Sequence, residues 1–174
     1  MTDAIANEIF SEGLSTYALL DGASIPDLRQ LLFAHKPDHE CLYVGELTDD
    51  MAEVAPYLVQ LEPESPFTKV VLEQGWGKHW GVFLVSEAGI RPLRQHFRLF
   101  ITVYDPEGHA MLFRFYDPRV LRSYLPTCNG EEVRKLFGPV KAFFAEGAKP
   151  ETILRFEHNA GQLVTRGAQP ASSS

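Results

Sequence analysis

The stretch MLFRFYDPRVLRSYLP, Met111–Pro126, decides how this chain is read. It opens as a strand. Met111, Leu112, Phe113, Phe115 and Tyr116 suit a pleated, half-buried surface, and Arg114 stands among them. Asp117-Pro118 ends the strand, because proline has no N–H for the ladder and biases the preceding residue away from the helical region. Asp117 then caps a helix that begins at Pro118, and Arg119, Arg122 and Tyr124 follow within two turns. Arginines, an aspartate and two tyrosines thus meet at one strand-to-helix corner. Two readings of it are open. One is a buried Asp–Arg brace that fixes the turn, since buried charges persist mainly when paired. The other is an exposed Arg/Tyr patch that binds a carboxylate, a phosphate or a protein.

Working upstream, Thr102–Tyr104 and His109–Tyr116 read as a hairpin with Asp105-Pro106-Glu107-Gly108 as its turn. A helix from Ile90 to about Phe100 precedes it, with Leu93, Phe97 and Phe100 on its apolar stripe. Arg91, Arg94 and Arg98 share a neighbouring face, which reads as solvated or as a contact for acidic side chains of a partner. Trp80–Val85 is apolar on both faces and marks a central strand covered on both sides. Tyr17–Leu20, Cys41–Val44 and Tyr57–Leu61 are further strands. Ser24 caps a helix over Pro26–His35, Asp49–Val54 makes one helical turn, and Ser65-Pro66 opens a helix that Gly75 ends.

Downstream, Glu131–Phe137 is a short helix stopped by Gly138-Pro139. Val140–Ala145, Ile153–Glu157 and Gln162–Thr165 are strands, the last pair joined around Asn159-Ala160-Gly161. The order predicts an α/β (or α+β) fold: a single domain with one mixed β-sheet and helices packed against it. Residues 1–13 are an arm or short helix, 14–166 the domain, and 167–174 a disordered tail.

The chain has 174 residues, of which 45% are hydrophobic, enough for one well-filled core. Its formal net charge of −7 speaks against sequence-independent nucleic-acid binding. No apolar run approaches the length of a membrane span, and the N-terminus lacks a basic-then-apolar leader, so no membrane contact is expected. Cys41 and Cys128 form no CxxC pair, and a reducing cytoplasm with free thiols is the expectation.

Chemistry has few footholds. The six histidines, His35, His39, His79, His96, His109 and His158, show no compact ligand spacing, and Pro37 separates His35 from His39. Gly75-Trp76-Gly77 lacks the continuation of a phosphate loop and reads as a tight turn. No GxSxG elbow is present, and neither cysteine has a base beside it in sequence. Asp21 follows an apolar strand, as catalytic aspartates do and as turn-capping aspartates do. No catalytic residue, cofactor or metal is expected.

Five segments together resemble the type VI secretion effector-adaptor chaperones, domain-of-unknown-function family 4123. They are YALLDGA (Tyr17–Ala23), PYLVQL (Pro56–Leu61), GKHWGVFLVS (Gly77–Ser86), LRQHFRLF (Leu93–Phe100) and LFRFYDPRVLRSYLP (Leu112–Pro126). The similarity covers about residues 17–125, with 126–166 as a short C-terminal extension. The resemblance implies a binding role in the cytoplasm of Gram-negative bacteria: holding a cognate toxic effector and helping load it onto the spike protein of the secretion machine. It places Arg114, Asp117, Pro118 and Arg119 on the signature, as fold-defining residues first and a protein-contact surface second. The alternative reading is a small-ligand or anion-binding regulatory domain using Arg114, Tyr116 and Arg119. A hydrolase using a histidine or Cys128 stands third.

Overall fold

The computed structural model describes residues 1–168. Its elements, in chain order, are α1 (Thr2–Ile9), β1 (Ser15–Asp21), α2 (Leu28–His35), β2 (His39–Cys41), α3 (Asp49–Val54), β3 (Pro56–Leu61), α4 (Pro66–Val70), β4 (Gly81–Ser86) and α5 (Ile90–Ile101). Next come β5 (Thr102–Tyr104), β6 (Ala110–Leu112), α6 (Pro118–Tyr124), α7 (Gly130–Phe137), β7 (Val140–Glu146), β8 (Ile153–Asn159) and β9 (Gln162–Ala168). Seven strands form one sheet in the order β2-β3-β1-β4-β7-β8-β9, and β5 and β6 form a separate two-stranded ribbon.

The fold is a single α/β domain, but every ladder is antiparallel where a mixed sheet was expected. Hydrophobic periodicity reports which residues are buried and carries no information on strand direction. Helices that alternate with strands in sequence need not form parallel crossovers.

The central strands are buried on both faces, as the apolar run of β4 predicts. Side chains alternate between two cores. Ala18, Leu20, Phe83, Val85 and Phe144 face one core, which α1, α2 and α4 cover with Ile5, Ile9, Leu28, Leu32 and Phe67. Tyr17, Leu19, Val82, Leu84 and Phe143 face the other, covered by Leu93 and Phe97 of α5, Leu121 of α6, and Val133 and Phe137 of α7. The molecule is therefore a three-layer sandwich of helices, sheet and helices.

Local chemistry explains most boundaries. Ser65 and Asp117 accept backbone N–H bonds at the starts of α4 and α6, each with proline in the first turn. Asn129 and Glu132 close a capping box on α7. The Asp105–Gly108 turn forms as read, with Gly108 at φ +87°.

Four boundaries move. β6 stops at Leu112 instead of running to Tyr116, and a turn closes from the Asp117 N–H to the Arg114 carbonyl. Phe115 and Tyr116 are adjacent yet both fill the α5–α7 core, which alternating strand geometry forbids. Ser24 does not cap α2; Asp27 occupies that place in the left-handed region, and Ser24 instead donates to Asp21. The second strand lies at His39–Cys41 and not at Cys41–Val44. Finally, β9 extends through Ala168 by pairing with Ile153, so the expected tail from 167 begins as strand, and 169–174 lie outside the described residues.

Gly81 sits where β4 crosses β1, and a Cβ there would overlap the Leu19 carbonyl oxygen. Backbone in two central strands has nowhere to move. Gly81→Ala should lower stability by about 2 kcal/mol or more, the scale of overpacking in a tight core. A urea melt checks it, with Gly89→Ala, which meets open space, as the comparison.

Candidate functional site

One end of the sheet gathers the polar groups. Asp21 ends β1 opposite Pro56, and Leu20 lies opposite Gly81. Phe83 pairs with Phe144, which brings Glu146 to this same end. The Met111–Pro126 corner packs over it.

Asp21 is fully buried. Its Oδ1 accepts the Ala23 N–H at 3.0 Å and its Oδ2 accepts the Ser24 hydroxyl at 2.8 Å. Arg114, 93 residues away, closes the set by donating Nη2 to Asp21 Oδ2, and it lies 3.3 Å from Ser24 Oγ. The carboxylate thus carries a turn, a hydroxyl and a guanidinium at once. Tyr116 is buried beside this pair. Burial pushes its phenol well above the ordinary value, the Asp21 and Tyr43 charges push the same way, and Arg114 opposes them.

Asp117 and Arg119 form the second pair. Asp117 Oδ1 accepts the Arg119 backbone N–H at 2.9 Å and Nε at 3.0 Å, and Oδ2 accepts Nη2 at 2.7 Å. Burial raises the Asp117 carboxyl, but the Arg119 side-chain and backbone bonds outweigh it and hold it below its ordinary value. Pro118 is buried at the first turn of α6. The signature residues Arg114, Tyr116, Asp117, Pro118 and Arg119 are therefore brought together; Tyr116, Asp117 and Pro118 are buried, and the Arg114 and Arg119 side chains are 38% and 52% exposed.

A third pairing was invisible in the sequence. The Glu146 carboxylate, at the end of β7, accepts the His79 backbone N–H at 2.8 Å, and His79 Nδ1 stands 3.5 Å from its other oxygen. His79 adopts φ +61°, a left-handed conformation that this bond holds in place. Arg122 ties α6 to the same strand end through the Glu146 and Gly147 carbonyls, at 3.2 and 2.8 Å. Burial pushes the Glu146 carboxyl above its ordinary value despite the His79 and Arg122 charges.

The arginine stripe of α5 is not a solvated face. Arg98 donates to the Leu42 and Tyr43 carbonyls at 3.1 and 2.8 Å, and Arg94 to the Cys41 carbonyl at 3.0 Å while pairing with Glu40. These side chains complete a segment that leaves the sheet after β2, and Arg91 alone of the three is exposed.

The remaining titratable groups are scattered. Cys41 and Cys128 are free thiols, and burial pushes Cys128 up. His96 is lowered by burial, with Nε2 at 2.8 Å from the Leu136 carbonyl. Asp105, Glu107 and His109 bring ligand-type atoms within 4.8 Å of one another, a grouping the histidine spacing had not suggested. It is an exposed turn, and Asp105 is already engaged with the His109 N–H and ring. Among the described residues no helix is long and apolar enough to cross a membrane.

The geometry pairs each signature arginine with a buried aspartate. Arg114→Ala strands Asp21 in the core and should cost about 3 kcal/mol, the lower end of the range for an orphaned buried charge. Arg119→Ala takes two bonds from Asp117, which is only 4% exposed but keeps the residue 119 backbone N–H, and should cost less, about 2 kcal/mol. Chemical denaturation of both variants measures the gap.

Glu146 predicts a pH signature. A carboxyl whose folded pKa is raised contributes stability that is complete below its unfolded value and lost as pH rises through the folded value. Glu146→Gln keeps an oxygen for the His79 N–H and removes the buried charge. Melting temperatures of the two proteins should agree near pH 4, about the ordinary glutamate value, and separate in favour of the variant towards neutrality. Parallel curves would remove this account.

The family model described as "Domain of unknown function (DUF4123)" matches residues 16–135. No curated protein and no solved structure matches the chain. The matched region runs from β1 through most of α7, ten residues beyond the similarity read from the motifs, and contains the Asp21–Arg114 pair and the whole corner. On a match spanning well over half its length, the chain belongs to the DUF4123 family of domains of unknown function.

Proposed function

We propose that this protein is an adaptor chaperone. It binds a cognate type VI secretion effector in the cytoplasm and promotes its loading onto the spike protein, directly or through the effector, and it performs no chemistry of its own. The observation that carries this reading is the fate of the signature charges. Arg114 and Arg119 are engaged by Asp21 and Asp117, so the most distinctive motif works as scaffold. A scaffold acts through the surfaces it presents, and fold alone does not name an activity.

A second reading, an anion-binding regulatory domain at Arg114, Tyr116 and Arg119, is favoured by the exposure of Arg119. An anion there has to compete with the Asp117 carboxylate, which already takes three of its bonds.

Pull-down of the tagged protein from its native host, followed by mass spectrometry, tests the adaptor reading. The expected result is a complex that survives size-exclusion chromatography, with micromolar or tighter affinity, about 8 kcal/mol or more. Effector solubility and delivery that are unchanged in cells lacking this protein would overturn it. Phosphate binding that a folded Arg119→Ala variant loses would favour the second reading.

A further inference from the structure

The β5–β6 ribbon stands off the body with both faces in water. All six of its residues, Thr102–Tyr104 and Ala110–Leu112, are exposed. Two-stranded ribbons are marginal on their own and usually bury one face. Here the cross-strand pair Val103–Met111 occupies one face, and Tyr104 and Leu112 lie on the other. Leu99, on the last turn of α5, is 75% exposed, and Tyr104 is 71% exposed. Five large apolar side chains, Leu99, Val103, Tyr104, Met111 and Leu112, are thus exposed within fourteen residues, and such a concentration marks an interaction site.

The charges around the patch choose among occupants. The tip carries Asp105 and Glu107, and the ribbon from 102 to 112 contains no lysine or arginine. Backbone N–H bonds, above all from His109, hold the Asp105 carboxyl below its ordinary value, so the tip stays ionised. An acidic tip repels nucleic acid and anionic lipid. A second copy of this chain has no basic ribbon to offer it. The other prominent exposed aromatic, Phe33, lines an open groove of about 830 Å³ with His39 and the paired Arg29 and Glu53, which shares no residue with the ribbon.

Resting on the adaptor reading, we propose that the β5–β6 ribbon and Leu99 form the docking site for the effector, and that they receive an apolar segment flanked by basic residues. A standard interface buries about 800 Å² per partner, so the ribbon supplies its apolar centre and the acidic tip sets its orientation.

The test titrates the purified protein with the effector recovered by the pull-down from the native host, by calorimetry. The double variant Val103→Glu/Met111→Glu, with Tyr104→Ser as a milder second variant, should keep the wild-type melting temperature and bind at least tenfold more weakly. Glu107→Lys should weaken binding several-fold and reduce its salt dependence. Phe33→Glu should bind as wild type does. Full affinity in folded ribbon variants overturns the site and leaves the adaptor reading intact. Absence of any complex with the wild-type protein overturns both. A wild-type dimer that the ribbon variants dissolve, with effector binding unchanged, reassigns the ribbon to self-association and overturns the proposal.

Discussion

A fully buried carboxylate at the end of a central strand has to be neutralised, and the answer to Asp21 organises the molecule. A charge of this kind costs several kcal/mol when left without a partner in the interior. Arg114 supplies the partner from the far side of the sequence. To reach it the chain leaves β6 early and turns over Arg114–Asp117. That turn sends Phe115 and Tyr116 together into the α5–α7 core, and it places Asp117 where it caps α6. Arg122 then carries α6 onto the end of β7. One electrostatic requirement thus connects the first strand, the signature corner and the C-terminal half of the sheet.

The same economy governs α5. Its inner stripe fills the core, while Arg94 and Arg98 satisfy carbonyls of the segment 41–43. Backbone that leaves a sheet needs such partners, since unpaired polar groups near a core are costly. With these arginines turned inward, the outward surface of this region is left to Leu99 and the ribbon. The brace at the sheet end and the apolar ribbon are continuous in sequence, joined only by Phe113.

Much of the fold was legible because its local signals are strong. The apolar run of Trp80–Val85, the proline-initiated helices at Ser65-Pro66 and Asp117-Pro118, and the Asp105–Gly108 turn each depend on residues within a few positions. The site was legible only in part. The residues of the corner adjoin in sequence and stay together in the fold, and the Asp–Arg brace is one of two readings the sequence leaves open. Its principal partner, Asp21, was noticed only as a strand-end aspartate. Ser24 reads as a cap from its type alone, but the helix starts only at Leu28 and the Asp21 carboxylate claims the hydroxyl. Glu146 and His79 gave no signal, since each is unremarkable among its neighbours and they meet only across paired strands.

By itself the sequence determined most of the helices and strands, that the Trp80–Val85 strand is covered on both faces, and that a charged corner precedes α6. Those are consequences of side-chain periodicity and backbone chemistry over a few residues. Tertiary structure alone decided that every ladder runs antiparallel, that Arg114 answers Asp21, that Arg94 and Arg98 turn inward, and that the ribbon is left uncovered. Each of these depends on contacts between segments tens of residues apart, where the free energy of burial and charge pairing is settled by what the fold brings together and not by what adjoins in the chain.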